Sequence, residues 1–407
     1  MSVGWPEYLR RARWFRIGDE DRLIGIEPLG WYTPPGALPA VRSELAGLEP
    51  DGADAYHLLA GYLPPGTAEP EALIGTTQLA GLGPVDVVDA AASPTAMTAL
   101  LDALLTPSAM SWRRHPSRLR PVRLLGAEQS NSAVVAGDSL IKVFRRLSPG
   151  PNPDPELLAA LAGGPVPALH GVLSRAGYDL LVATEFLPDA RDGWEFATAA
   201  CAAGRRIDDE VGELGVALRR VHDRLAAAFG TRRGSAAQLR RRLLADLDRA
   251  VAELPVLAPH RAGLASALAS LPDGGMVTQR VHGDFHLGQA LLTGNGWRLI
   301  DFEGEPGAPI AERRAYDSPW RDVAGLLRSL DYARSGHSDP DGRQAIDWRD
   351  RARAAFLAGY GEDPATFGLL TAHEVARMVY EVGYEVRNRP DWVGIPLSAV
   401  ENVATRH

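Results

Sequence analysis

The chain has almost no cysteine and almost no lysine. Cys201 is the only cysteine in 407 residues, which excludes an intramolecular disulfide and any cysteine-based zinc cluster. No run of 18 apolar residues occurs, so no membrane-spanning helix is expected. Met1 to Arg16 carries scattered charges and no apolar stretch of the secretory type, so no signal peptide is expected and the expected location is the cytoplasm. A surplus of positive charge is missing as well. Lys plus Arg is 43 against 51 Asp plus Glu, a net charge of −8, which argues against a generic nucleic-acid surface. No internal repeat or low-complexity tract is found. What remains is an ordinary folded composition, 45% hydrophobic and 23% charged, with length for two to three packing units at about 150 residues each.

The scarcity of lysine makes the one that is present informative. Of the 43 basic residues, only Lys142 is a lysine and the other 42 are arginines. An ammonium is a compact point charge and a guanidinium is a planar fork, so a site that needs the former resists exchange. Lys142 lies in Ser139-Leu140-Ile141-Lys142-Val143-Phe144, a β-forming run after the turn residues Gly137-Asp138. Upstream come the apolar stretch Val122 to Leu125, the small polar stretch Gly126-Ala127-Glu128-Gln129-Ser130-Asn131-Ser132, and Ala133-Val134-Val135. The order is strand, small-residue loop, strand, turn, lysine strand. Such a loop can cover nucleotide phosphates. It is neither a Walker A motif nor the full glycine-rich signature of protein kinases.

Three regions are expected. Residues 1–110 mix short strands, around Arg13 to Ile17, Asp21 to Ile26 and Tyr56 to Tyr62, with a helix near Thr95 to Leu105. Pro34-Pro35-Gly36 and Pro64-Pro65-Gly66 read as turns. Residues 111–190 hold the strands just described, a helix from Pro155 with Asp154 as N-cap, and a strand pair at Gly171 to Leu173 and Leu180 to Glu185. Residues 191–407 are mainly helical, with amphipathic segments near Asp208 to Phe229, Ala236 to Glu253 and Asp347 to Gly359.

The segment richest in chemistry is Val281-His282-Gly283-Asp284-Phe285-His286-Leu287-Gly288-Gln289, followed by the strand Trp297 to Ile300 and then Asp301-Phe302-Glu303-Gly304. Asp284 is followed by an amide, Gln289, five residues later and by a strand-end carboxylate, Asp301, seventeen residues later. Protein kinases show this order: a base for the substrate hydroxyl, an amide metal ligand, and a strand-end Asp that holds Mg²⁺. Gln289, Asp301 and Glu303 are the hard oxygen donors that Mg²⁺ prefers. Zinc on His282 and His286, a plain turn role for Asp284 and a helix-cap role for Asp301 are the competing readings. No Ala-Pro-Glu element follows Asp301, so a protein-kinase activation segment is not expected.

His282-Gly283-Asp284-Phe285-His286-Leu287-Gly288-Gln289 resembles the catalytic loop of the aminoglycoside-phosphotransferase-like kinases. The nearer likeness is to the actinobacterial maltokinases and the related glucosamine kinases. It is carried also by Glu128-Gln129-Ser130-Asn131, Ile141 to Arg146, Asp192-Gly193-Trp194, Asp301 to Pro306, Asp317-Ser318-Pro319-Trp320-Arg321-Asp322 and Tyr380 to Trp392, with Arg13-Trp14-Phe15 near the start. The resemblance implies an α+β, bilobal protein-kinase-like fold: a mixed β/α N-lobe, a mainly helical C-lobe and an N-terminal cap subdomain. It implies ATP as co-substrate and Mg²⁺ as cofactor. Asp284 would be the base, and Gln289, Asp301 and Glu303 the metal ligands. Lys142, Ser130 and Asn131 would meet ATP, Glu156 would pair with Lys142, and Glu185, Phe186 and Leu187 would form the adenine hinge. Asp322 would support the catalytic loop.

On a helix, Glu381, Glu385 and Asn388 share a face, which Pro390 ends and Trp392 rejoins from a turn. Two glutamates at this spacing repel unless a cation lies nearby, and a substrate ammonium would serve. Internal pairing, Glu381 with Arg377 and Glu385 with Arg389, is the competing reading. His286, Asp317, Glu381, Glu385, Asn388 and Trp392 are therefore the expected sugar-site residues. The expected reaction is ATP-dependent phosphorylation of D-glucosamine at its 6-hydroxyl by a monomer, with neither nucleic acid nor membrane as partner. Maltose and an aminoglycoside are the alternative acceptors. Lys142→Arg should lose most turnover despite keeping the charge, because a fork cannot replace a point contact; steady-state kinase assays of the variant check this.

Overall fold

The first half of the chain folds mainly into antiparallel sheets. The structure is a computed structural model that describes residues 4–12, 14–15, 22–33, 36–49, 55–106, 109–116, 119–125, 131–271, 273–306, 308–361 and 366–406. The chain divides into two compact units, Met1–Ala159 with Pro167–Leu187, and Ala160–Val166 with Pro188–His407. No described helix is long and apolar enough to cross a membrane.

The first unit opens with helix α1 (Trp5–Arg11) and strands β1 (Arg22–Trp31), β2 (Ala40–Glu49), β3 (Ala55–Leu63), β4 (Leu73–Leu79) and β5 (Gly83–Asp89). Helix α2 (Pro94–Leu104) starts where Ser93 accepts a hydrogen bond from the N–H of Ala96. Then come β6 (Ser111–Trp112), β7 (Val122–Leu124), β8 (Ser132–Ala136), β9 (Ser139–Val143), β10 (Arg146–Leu147), α3 (Pro153–Ala160), β11 (Leu169–Arg175) and β12 (Tyr178–Glu185). One sheet has the order β1-β2-β3-β5-β4, with β10 added beside β3; the other runs β6-β11-β12-β9-β8-β7. A shared core joins them, with Leu59, Leu63, Val88 and Leu100 packed with Val134, Ile141, Val143 and Leu181. The period of two along β9 buries Ser139, Ile141 and Val143 and turns Lys142 to the other face. Arg13, Ile17, Asp21, Pro34, Pro35 and Ser130, all named in the sequence reading, lie outside the described residues.

Right after β9, Arg145 is drawn into the core. Its Nη2 donates to both carboxylate oxygens of Asp89, at 2.9 and 2.7 Å. Its Nε donates to Ser132 at 2.9 Å, and its guanidinium lies 4.2 Å from the Trp14 ring centroid. Tyr8 also donates to Asp89. Beside it, burial followed by the charge of Arg145 pushes His57 down to about 3. His57 is therefore neutral, held between Ser43 and the carbonyl of Phe144.

The second unit contains β13 (Arg191–Asp192), α4 (Gly193–Ala202), α5 (Asp208–Phe229), β14 (Arg232–Ser235), α6 (Ala236–Glu253), α7 (Arg261–Ala269), β15 (Gly275–Thr278), β16 (Ala290–Thr293), β17 (Gly296–Leu299), α8 (Ile310–Arg313), α9 (Trp320–Ala333), α10 (Arg343–Tyr360), α11 (Phe367–Asn388) and α12 (Gly394–Arg406). The ends of α5 and α6 match the sequence expectation. Ser235 caps α6 through the N–H of Gln238, and Leu239, Leu243 and Leu247 form its buried stripe. That stripe packs with Leu264, Leu268, Val375, Val379 and Val382 into the helical core.

The Arg145–Asp89 pair is 1% exposed on each side. Losing one partner would leave the other charged and buried. Asp89→Ala should cost about 3–5 kcal/mol of stability, measurable as a lower urea midpoint.

Candidate active site

In the first unit, Lys142 sits opposite Ala133 and Val182 in the sheet. Its Nζ lies 3.5 Å from Oδ2 of Asp154. The sequence reading made Asp154 a helix cap and gave Glu156 to the lysine. The structure corrects the first point. Helix α3 begins at Pro153, two residues earlier than expected, and Asn152 takes the capping role through its hydrogen bond to the N–H of Asp154. That leaves the Asp154 carboxylate to face the lysine from the first turn, with Glu156 half-buried on the same turn. Asn131 is buried and accepts the backbone N–H of Arg145, so the far end of its loop is tied to the lysine strand. At the end of β12, the N–H of Glu185 donates to Ala168 and that of Phe186 to Asp138. The first unit ends at Leu187.

In the second unit, the loop that carries Asp284 is held by one buried carboxylate. Asp322, 1% exposed at the start of α9, accepts the backbone N–H of His282 through Oδ2 and that of Gly283 through Oδ1, both at 2.8 Å. Its Oδ2 also accepts Nε2 of His222 at 2.9 Å, and Nδ1 of His222 meets the Tyr360 hydroxyl. Burial opposes the charge of Asp322, but the His222 hydrogen bond and its neighbours outweigh it and lower the pKa. Gly283 has φ +87°, a left-handed conformation that glycine adopts without strain. Gly325 lets α9 approach, since a Cβ there would lie 2.4 Å from the carbonyl oxygen of Phe285.

The predicted oxygen donors come together. Gln289 Nε2 donates to Oδ2 of Asp301 at 3.2 Å. A carboxylate oxygen of Asp301 and one of Glu303 lie within 4.8 Å of each other. Asp301 holds φ +63°, a backbone strain of about 1–2 kcal/mol for a residue with a Cβ. Arg313 Nη1 stands 4.0 Å from Glu303. Two carboxylates and an amide offer only hard oxygen atoms, a set suited to Mg²⁺.

Neither histidine of the loop is placed as a zinc pair. His282 Nε2 meets the carbonyl of Ile300, and its ring packs 4.6 Å from that of Phe302. His286 accepts the N–H of Gly288 through Nδ1. Burial, first among its influences, lowers the His286 pKa and keeps the ring neutral.

The glutamates expected to line an ammonium pocket on α11 are paired with arginines. Glu381 is buried, and its Oε2 accepts from Nε and Nη2 of Arg328 at 3.0 and 2.8 Å. Glu385, 1% exposed, is held by Arg389 at 2.7 Å and by the Tyr332 hydroxyl. Arginines of the protein relieve the repulsion that called for a bound cation. Asn388 is exposed and donates to the carbonyl of Tyr384, whereas Trp392 lies under the guanidinium of Arg389. The shared face therefore breaks after Glu385. Asp317 pairs with Gln279 across a β-bridge and with Arg321 at 3.1 Å. Burial works against its charge, yet His373, Arg321 and Arg242 lower its pKa overall.

Sequence reasoning missed Arg377 as a site residue. Its Nη2 lies 3.1 Å from Oδ1 of Asp284. The only signal was its spacing four residues before Glu381, which points along the helix and not across to the loop. Asp322→Asn would set an amide N–H₂ against a backbone or imidazole N–H. It should cost about 1–3 kcal/mol and most of the turnover. Because the Asp322 pKa is depressed in the folded protein, its contribution is present above the ordinary carboxylate value of about 4 and lost as pH falls below it. Urea denaturation from pH 3 to 7 should thus show a flatter acid limb for the variant.

A profile of the phosphotransferase enzyme family matches residues 125–370. The glucosamine kinase of Streptacidiphilus jiangxiensis is 31% identical over 313 residues, which span 66% of this chain and 70% of that protein. The glucosamine kinase of Mycolicibacterium smegmatis (strain ATCC 700084 / mc(2)155) is 29% identical over 332 residues, 72% of this chain and 81% of its own. A solved glucosamine kinase in complex with glucosamine, ADP and inorganic phosphate matches with a TM-score of 0.67 at 24% identity, covering 99% of this chain and 100% of that one. The fold is thus the α+β, protein-kinase-like one expected from the sequence. With a profile match over more than half its length and curated relatives near 30% identity, the chain belongs to the phosphotransferase enzyme family.

Proposed function

We propose that this protein transfers the γ-phosphoryl group of ATP to the 6-hydroxyl of D-glucosamine. The observation that carries this reading is the 31% identity to a glucosamine kinase. Support comes from the oxygen donors Gln289, Asp301 and Glu303, gathered in the same unit as Asp284. Asp284 accepts the hydroxyl proton as the sugar oxygen bonds to the γ-phosphorus. The bond to the β,γ-bridging oxygen breaks and ADP leaves. Gln289, Asp301 and Glu303 would hold Mg²⁺, which supplies neutralisation of phosphate charge. Such a reaction asks the protein chiefly for orientation and charge placement.

On the nucleotide side, Lys142 meets the phosphates as a point charge, and Ser130 and Asn131 are the further expected ATP contacts. Asp154 pairs with Lys142, and Glu156 is a second acid on the same turn. The N–H groups of Glu185 and Phe186 are already engaged. Adenine is then met by their carbonyls and by Leu187. On the acceptor side, the contacts fall to neutral His286, to Asp317, to Asn388 at the end of α11 and to Trp392 in the turn after it. Glu381 and Glu385 serve the frame of the helix. Residues 1–110 are the N-terminal cap subdomain of this reading.

ADP release with glucosamine, glucose, N-acetylglucosamine, maltose and one aminoglycoside tests the reading. Glucosamine should give the highest kcat/KM, and NMR of the product should place phosphate on O6. Asp284→Asn should abolish turnover while ATP binding, read by calorimetry, stays within about threefold of wild type. Preference for maltose would overturn the substrate, and an active Asp284→Asn would overturn the base.

A further inference from the structure

We propose that Arg377 is a positioning residue that fixes which oxygen of Asp284 is offered to the acceptor hydroxyl. The proposal rests on Asp284 being the base. Asp284 stands on a loop directly after the left-handed Gly283, and a short side chain there has little to stop rotation about its terminal bond. A carboxylate that rotates freely presents either oxygen at a variable angle. Arg377 Nη2 holds Oδ1 at 3.1 Å, which leaves Oδ2 for the acceptor.

The arginine also lies beside a second acid. Its Nε stands 3.6 Å from Oε1 of Glu381. The other oxygen of Glu381 is gripped by the buried Arg328, whose Nη1 donates to Asp331 at 2.6 Å. Asp331 in turn faces Arg353 at 3.4 Å, and Arg353 donates to Glu374 at 2.6 Å. The Tyr380 ring centroid lies 5.2 Å from the Arg377 guanidinium. Carboxylates and guanidiniums thus alternate from Asp284 back through α9, α10 and α11. Each fork bridges two acids, which a lysine could not do with fixed geometry. Burial opposes the charge of Arg377, but Asp284, Glu381 and Glu305 outweigh it.

This assignment also gives Glu381 a task. It anchors the arginine that orients the base, instead of meeting the amine of the substrate. Phosphoryl transfer through a loose transition state gains more from orientation of the base than from its strength. The loss of this contact should therefore appear in kcat and not in KM.

The experiment compares wild type, Arg377→Ala, Arg377→Lys and Asp284→Asn with ATP, Mg²⁺ and glucosamine. Arg377→Ala should lower kcat by about 10- to 100-fold on loss of this ion pair. Both KM values should stay within about twofold. Arg377→Lys should recover part of the loss. Methylguanidinium at millimolar concentration should raise kcat of Arg377→Ala and leave wild type unaffected. A role confined to anchoring α11 would lower the melting temperature but give no rescue and no selective loss in kcat. If Asp284→Asn is inactive and Arg377→Ala keeps wild-type kcat, the positioning role falls alone. If Asp284→Asn stays active, or wild type does not phosphorylate glucosamine, the proposal falls with its premise.

Discussion

The carboxylate of Asp322 accepts three hydrogen bonds, from two backbone N–H groups of the loop before Asp284 and from His222 on α5. This buried group sets the position of the Asp284 loop. A loop rich in glycine and histidine has no ladder of its own to hold it. Its N–H groups must find acceptors elsewhere, since leaving them buried and unmade would be costly. Asp322 satisfies them from the first turn of α9, where the helix dipole also favours a negative charge. The Tyr360 hydroxyl then fixes the imidazole from the far side. The loop is thus built on three helices, which is why Gly325 must be small where α9 meets Phe285.

The two cationic side-chain types divide their work by shape. Arginine forks bind internal carboxylates in pairs, at Asp89, Glu381 and Glu385. The pairs at Asp89 and Glu381 are buried, where a planar donor with fixed geometry best compensates lost hydration, and Arg389 holds the buried Glu385 from the exposed side. The lone lysine stands on the face of β9 turned away from the core, against the acid of a helix start. A compact ammonium paired with that acid is a point charge, where a guanidinium would be a planar fork.

Much of the architecture was legible because it depends on local periodicity. Helices α5 and α6 end where the apolar stripe and the cap residues end, and β9 follows its alternation of buried and exposed positions. The start of α3 was misread by two residues because Asn152 and Asp154 are both good cap residues. Only the hydrogen bond to the Asp154 N–H distinguishes them. The glutamates of α11 were legible as an unusual pair, and internal pairing was one open reading. What satisfies Glu381 is Arg328, a residue on another helix whose approach no spacing rule conveys.

By itself the sequence determined the order of the chemistry: a strand lysine, then a loop Asp, an amide and a strand-end Asp at kinase spacing. It also determined the family likeness, because those motifs are local in the chain. Tertiary structure alone decided which charge meets which. Asp284 with Arg377, Glu381 with Arg328 and Asp89 with Arg145 are contacts between residues far apart in sequence. Burial makes their geometry decisive, because a charge removed from water must be matched by whichever neighbour the packing brings to it.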